Sequence, residues 1–508
     1  MATPSYKILF FILIGAVVAG CTKNKSNDQT LRIHFPSVKV NFDPQRMEDA
    51  YSMAIAAQLY RGLLRYNTTG DIRADLAESW TESDDHRTYR FKLRKATFSD
   101  GSPITAKHVQ MTFARLFRLG AAMAADIDYI AGAREFKSKP DISKFGVQPI
   151  SDDVVEFRLS EPSAIFLKQL AVADCAILPI VDFQSDPEIS SRGVFSGPYK
   201  ITNDLKDGQI ALEKWRPDSM DSTHPPQKIR YSLKSGDPVQ LAHSSEIDTL
   251  DHYRVSAEDK TKLEKAGWAA SATELAGEVF IVLSPERIPL EVRKALYSAV
   301  DSSNVVKTLG QKSYRAAYGL IPFGLAGELS PHDVEQLKAA TAFFKRPISI
   351  ELDYEGASDM EEKTAQWLKK RWAELGVELR LNPITKGEKL EKLFGKKSQA
   401  ILAKKAMDYP EGFSVLGYFK GKYESNYFYV NDSEVDKSLL QVLQIFDSAA
   451  RAEKYKQIQK QILKHYTIIP MFFGSEASGL WSPKVKSVPS HPLGVHTLPL
   501  ESVEMSTE

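Results

Sequence analysis

Cysteine is all but missing from this chain: two stand in 508 residues, Cys21 and Cys175. No disulfide framework can therefore hold the fold, and a hydrophobic core must do so. The 43% of hydrophobic residues is enough to build one, in two or three domains. Cys175, within Leu170-Ala-Val-Ala-Asp-Cys-Ala-Ile-Leu178, reads as a small buried core residue. An excess of either charge is missing too. With 66 basic against 65 acidic residues the chain is close to neutral, which argues against nucleic acid as a partner. No Pro/Gly-rich linker and no internal repeat divides the sequence, so its domains are expected to be interwoven. Catalytic signatures are absent as well: there is no His-Glu-x-x-His, no Gly-x-Ser-x-Gly, no Gly-x-x-x-x-Gly-Lys and no Gly-x-Gly-x-x-Gly after a strand. The ten histidines show no metal-ligand spacing. Neither an enzyme nor a cofactor or metal protein is expected. The acidic pairs Asp84-Asp85 and Asp152-Asp153 lie in turn-like contexts and read as solvated turn residues.

The N-terminus carries the first positive signal. A basic start ending at Lys7 is followed by thirteen apolar residues, Ile8 to Gly20, and then by Cys21. As a helix that run would reach roughly 20 Å, short of the ~30 Å of a bilayer core, so it reads as a secretory signal rather than a permanent span. Val18-Ala19-Gly20-Cys21 resembles the lipobox of bacterial lipoproteins, in which the cysteine thiol takes diacylglycerol before cleavage. On that reading residues 1–20 are removed, Cys21 is the lipidation site and residues 21–30 form a polar tether. The alternative is an ordinary cleaved signal with an incidental cysteine. Removal of residues 1–20 takes away one cation, Lys7, leaving 65 residues of each charge.

Strands and helices alternate in short units. Thr88 to Leu93 predicts a strand with Tyr89, Phe91 and Leu93 on one face. Asp100-Gly101 predicts a turn, and Thr105 opens a helix bearing Val109, Thr112, Phe113, Leu116 and Phe117. Farther on, Ile348, Ile350, Leu352 and Tyr354 alternate as a strand face. A helix from Asp359 then places Ala365, Leu368, Trp372 and Leu375 on one stripe, Gly376 ends it, and Val377 to Leu381 alternates again. This is a β-α-β crossover with parallel strands, and it makes the chain α/β or mixed α+β.

A series of ordered motifs then spans most of the chain: Asn41-Phe-Asp-Pro44, Gln58-Leu-Tyr-Arg-Gly-Leu-Leu64, Asp75-Leu-Ala-Glu-Ser-Trp80, Tyr89-Arg-Phe-Lys-Leu-Arg94 and Phe98-Ser-Asp-Gly-Ser-Pro-Ile-Thr-Ala106. Leu159-Ser-Glu-Pro162, Ser196-Gly-Pro-Tyr199, Glu246-Ile-Asp248, Val292-Arg-Lys-Ala-Leu296 with Ala299-Val-Asp301, and Asp408-Tyr-Pro410 continue it. In order and spacing they resemble the family 5 extracellular solute-binding proteins, which include oligopeptide- and dipeptide-binding proteins. There are departures. His108 stands where the family places aspartate, which is expected to weaken reciprocal capping of that helix, and Phe195-Ser196 and Ser245 replace family glycine-rich positions.

The resemblance implies a two-lobed periplasmic-binding-protein fold with a double-crossing hinge. Residues 31–57, 186–272 and 475–508 would form lobe one, 58–185 an additional domain on it, and 273–474 lobe two. It further implies the receptor of an ABC importer, taking a short peptide between its lobes, handing it to permease subunits, anchored to the membrane by lipid outside the cytoplasm, and monomeric. Asp408 matches the carboxylate that receives the ligand's α-amino group in the peptide-binding relatives, with Tyr409 beside it; Lys405 replaces a tryptophan three positions earlier. Asp408 could instead be a turn residue of Met-Asp-Tyr-Pro-Glu-Gly, and Lys405 could pair with Asp408 or receive a ligand carboxylate. Other solutes on the same fold (a nickel chelate, an oligosaccharide or an opine-like compound) and a signalling, scaffolding or hydrolytic lipoprotein are the alternatives. Cys21→Ser is expected to block lipid attachment and leave an uncleaved or mislocalised precursor in cells. Normal processing and membrane fractionation of that variant would refute the anchor.

Overall fold

The computed structural model describes residues 29–507 except 36–38, 48, 68, 185–188, 190–192, 203–207, 217–221, 252–254, 256, 271–276, 311–313, 339–342, 422–425, 475–478, 490–492 and 494–496. The signal segment, Cys21 and all but the end of the tether lie outside these residues. Among the described residues no helix is long and apolar enough to cross a membrane.

Two large sheets organise the chain. One has seven strands in the order Ala269–Ala270, Gly479–Trp481, Thr249–Asp251, Thr30–His34, Lys228–Ser232, Gln209–Lys214 and Tyr199–Ile201. The other has six: Arg315–Ala316, Ile468–Gly474, Gly277–Leu283, Ala400–Ala406, Ile348–Glu355 and Val377–Ile384. The chain therefore passes between the sheets twice, across 271–276 and across 475–478, both outside the described residues. A smaller four-stranded antiparallel sheet is built from Ala77–Glu82, Thr88–Leu93, Val154–Arg158 and Val147–Ser151. The architecture is mixed α/β.

Periodicity explains much of this. Ile348–Glu355 and Val377–Ile384 pair in parallel over their whole length, and the helix Asp359–Ala373 joins them. Ala365, Leu368 and Trp372 are completely buried on its inner stripe. Ser358 caps it by accepting the Glu361 N–H, and acids fill its first turn while Lys370 and Arg371 fill its last, each favoured by the helix dipole. Gly376 turns the chain at φ +80°, where a Cβ would meet the Phe344 carbonyl oxygen at 2.7 Å. Gly277–Leu283 is buried at all seven positions, as a strand between two covered faces must be. Cys175 is buried and free.

The four-stranded unit is joined to the seven-stranded sheet's surroundings by buried charge. Arg115, without exposed surface, donates to Asp43 at 3.1 and 2.6 Å and to Gln45 at 2.7 Å. Arg61 donates to both oxygens of Glu501 at 2.9 and 3.0 Å. Buried pairs of this kind are costly to break, because removing one partner strands the other's charge.

One expectation is corrected. The helix Ala106–Leu119 keeps a reciprocal cap although position 108 is not acidic: His108 Nδ1 accepts the Thr105 N–H at 3.2 Å. The imidazole can do so because burial against Phe98 lowers its pKa below the ordinary value, leaving it neutral, with Lys107 adding to the effect. A histidine whose folded pKa is depressed contributes stability that is complete above the unfolded pKa and is lost as pH falls through the folded one. His108→Ala should cost about 1 kcal/mol at pH 7.5. His108→Asp should keep the cap and be less acid-sensitive below about pH 6.5. Chemical denaturation at pH 7.5 and 5.5 checks both, and identical pH profiles for the parent and His108→Asp would refute the assignment.

Candidate functional site

The strand Ala400–Ala406 runs in the middle of the six-stranded sheet and ends at the loop that carries the ligand candidates. The loop is tied down by Ser414, from the short helix Phe413–Leu416, whose hydroxyl oxygen accepts the N–H groups of Asp408 at 2.8 Å and Tyr409 at 3.3 Å. Successive residues of the loop then face opposite surroundings. The Asp408 side chain is 42% exposed and its Oδ2 accepts the Tyr418 hydroxyl at 2.7 Å. Lys405 Nζ lies 3.9 Å from the same oxygen and 3.4 Å from the centre of the Tyr418 ring. Asp408 and Lys405 are thus brought together, around a tyrosine that the sequence did not single out. Tyr409 points away, fully buried, and its hydroxyl accepts from Gln169 Nε2 at 3.3 Å. Gln169 in turn accepts the Tyr129 hydroxyl.

This loop meets the unit formed by residues 58–185. Lys168 donates to the buried carboxylate of Glu411, which also lies 3.5 Å from Arg451. The Ala164 N–H donates to the Leu443 carbonyl at 2.7 Å, and the His86 ring stacks on Phe446 at 3.8 Å. The two halves are therefore in contact across the loop.

Two carboxylates from the 58–185 side add to the field at Asp408. Asp174 lies in the short 3-10 helix Ala173–Cys175, and its carboxyl is pushed up to about 7, by burial first and then by Asp408 and Asp126. Burial pulls the Lys405 ammonium below the usual lysine range, while Asp408 and Asp126 oppose that shift. The Tyr418 phenol is pushed far up, by burial and by Asp408. The site holds more negative than positive charge, and the arrangement suits a cation. Asp174 had a faint signal in the sequence, an aspartate inside an otherwise apolar stretch; Asp126 and Tyr418 had none. Among the described residues no group of side chains could hold a metal ion. Cys21 lies outside the described residues.

The family model described as bacterial extracellular solute-binding proteins, family 5 middle, matches residues 71–427. The Escherichia coli K12 protein named "Probable D,D-dipeptide-binding periplasmic protein DdpA" is 25% identical over 85% of this chain and 86% of its own length. The same strain's "Probable deoxycholate-binding periplasmic protein YgiS" is 26% identical over 91% of each chain. The crystal structure of Haemophilus influenzae OppA complexed with the peptide RPPGFSPFR superposes with a TM-score of 0.77 at 20% identity, covering 94% of this chain and 99% of that one. The shared fold is the two-lobed periplasmic-binding-protein fold.

The Lys168–Glu411 pair joins the two halves, so it should help to hold them together. Lys168→Met is expected to remove about 1 to 3 kcal/mol from the contact between the halves while leaving Arg451 near Glu411. Solution scattering of the ligand-free variant should give a larger radius of gyration than the parent; an unchanged radius would show that the pair does not hold the halves together.

Proposed function

The chain belongs to family 5 of the bacterial extracellular solute-binding proteins, and from that premise we propose that it is the peptide receptor of an ABC importer. It is held outside the cytoplasm by lipid on Cys21 and works as a monomer. Residues 31–57, 186–272 and 475–508 form lobe one with 58–185 as its additional domain, and 273–474 form lobe two. The two passages of the chain between the large sheets support that division.

A short peptide enters between the lobes, is enclosed as they close, and is delivered to the permease subunits. Its backbone offers the same donors and acceptors whatever its sequence, so extended pairing supplies general affinity and a charged terminus fixes the register. Ligand drives closure only by binding the closed state more tightly than the open one. The observation that carries the reading is Asp408: a partly exposed carboxylate at the contact between the two halves, in a field made more negative by Asp126 and Asp174. The peptide's α-ammonium is the group that fits it. Tyr409 supports the loop from behind rather than touching the peptide. A second reading, a solute whose carboxylate meets Lys405, is favoured by the closeness of Lys405 to the same position.

Charge-assisted hydrogen bonds from an ammonium to Asp408 should contribute about 1.5 to 3 kcal/mol, or roughly one to two decades of affinity. Asp408→Asn is therefore expected to weaken binding of peptides with a free amino terminus by that amount. N-acetylated peptides should bind the parent poorly and lose little more in the variant. Calorimetry on the four combinations decides: equal losses for both peptides would sink the amine anchor and leave Lys405 with a ligand carboxylate.

A further inference from the structure

Glu278 is a charged residue type in a place that ordinary folding disfavours. It is second in the strand Gly277–Leu283, at the middle of the six-stranded sheet, and 3% exposed. Its Oε1 has no hydrogen-bond partner among the described residues. A buried carboxyl left in this way is destabilising, and native structures seldom keep one without a use. Burial pushes its pKa well above the usual carboxylate range, so it is held as the neutral acid.

Its cross-strand neighbour is Lys405: the antiparallel register sets Glu278 directly opposite it. Side chains so paired share one face, with Cβ atoms about 4.5–5.5 Å apart. Both line a single small cavity of about 10 Å³, room for about one water, whose walls include Phe280, Val415, Phe419 and Phe428. Yet the Lys405 ammonium is turned toward Asp408 and the Tyr418 ring instead.

We propose that Lys405 is a built-in occupant of the ammonium site and Glu278 its alternative counter-ion, so that a ligand ammonium arriving at Asp408 displaces Lys405 onto Glu278. The inference rests on the reading of Asp408 as the amine acceptor. Charge balances as follows. Before binding, Glu278 is neutral and Lys405 faces the Asp408 carboxylate. Afterwards the ligand ammonium faces Asp408, Lys405 faces an ionised Glu278, and the Glu278 proton has gone to solvent. The exchange keeps both cations paired, and it selects for cationic solutes, since a neutral group gives Lys405 no reason to leave.

The groups around the exchange are few. On the other side of Glu278 its strand partner is Phe473, and Tyr427 is the titratable neighbour it shares with Asp408. Tyr427 and Tyr418 are phenols pushed up by burial and stay neutral. Asp126 faces Lys405, and Asp174 faces Asp408 from the 58–185 unit. Asp174 is a second group able to give up a proton when a cation arrives, so Asp174→Asn is the proper background for a test.

Two measurements in that background test the exchange. The first needs no ligand. An infrared carbonyl band of a protonated buried carboxylic acid should be present and should vanish in Glu278→Gln. Adding Asp408→Asn, which takes away the present partner of Lys405, should also abolish that band as Lys405 turns to an ionised Glu278. A band that survives Asp408→Asn, or one never present, overturns the proposal. The second is calorimetry with trialanine at pH 7 in buffers of different ionisation enthalpy. One proton should be released per peptide bound, and none after Glu278→Gln or Lys405→Met. Equal proton counts with and without Glu278 overturn it. If the infrared exchange occurs but trialanine does not bind, the peptide-receptor reading fails and the Lys405–Glu278 exchange stands.

Discussion

A single hydrogen-bonded ladder governs the half of the molecule that bears the candidate site. The strand Gly277–Leu283 begins immediately after the first passage between the sheets. It pairs on one side with Ile468–Gly474, which leads into the second passage, and on the other with Ala400–Ala406, which leads into the loop of Asp408. Both passages and the Asp408 loop are therefore referred to one strand. Its register cannot slip: a shift of one residue would send Val279 and Ile281 to the opposite face and part Glu278 from Lys405. Burial at every position supplies that rigidity, and Glu278 is the one place in the strand where burial is uncomfortable.

Ion pairs among the described residues differ in whether they can open without stranding a charge. Arg115 with Asp43 and Gln45, and Arg61 with Glu501, are buried on both sides, so breaking either would strand a charge, and they weld the 58–185 unit to its neighbour. Lys168 is different: its side chain keeps 30% of its surface exposed, and Glu411 retains Arg451 nearby when Lys168 is absent. Such a pair can open without stranding a buried charge.

The same logic bears on the site. Asp408 has the carboxyls of Asp174 and Asp126 in its surroundings, and Lys405 is the cation beside it. A ligand can shift an equilibrium between two arrangements only by a difference in its affinity for them, not by the tightness of any one contact.

Local features were legible in the residues themselves. The strand at Thr88–Leu93, the helix after Thr105, the β-α-β unit with its glycine stop and the turn at Asp100-Gly101 each depend on neighbours a few positions away, and each stands where periodicity and capping put it. Lys405 and Asp408 could be paired for the same reason, being three residues apart. The ordered motifs pointed to the family, yet several of their charged members, Asp43, Arg61, Asp75 and Asp248, are spent on buried ion pairs of the scaffold. His108 misled because its capping power depends on a protonation state that burial sets. Glu278, Asp174 and Asp126 could not be tied to Asp408 by any spacing, because strand pairing and the packing of two halves bring them together from distant parts of the chain. What the sequence determined was whatever short-range sterics and hydrophobic period control; what only the tertiary structure decided was which charges share a low-dielectric space, since that depends on who is buried beside whom.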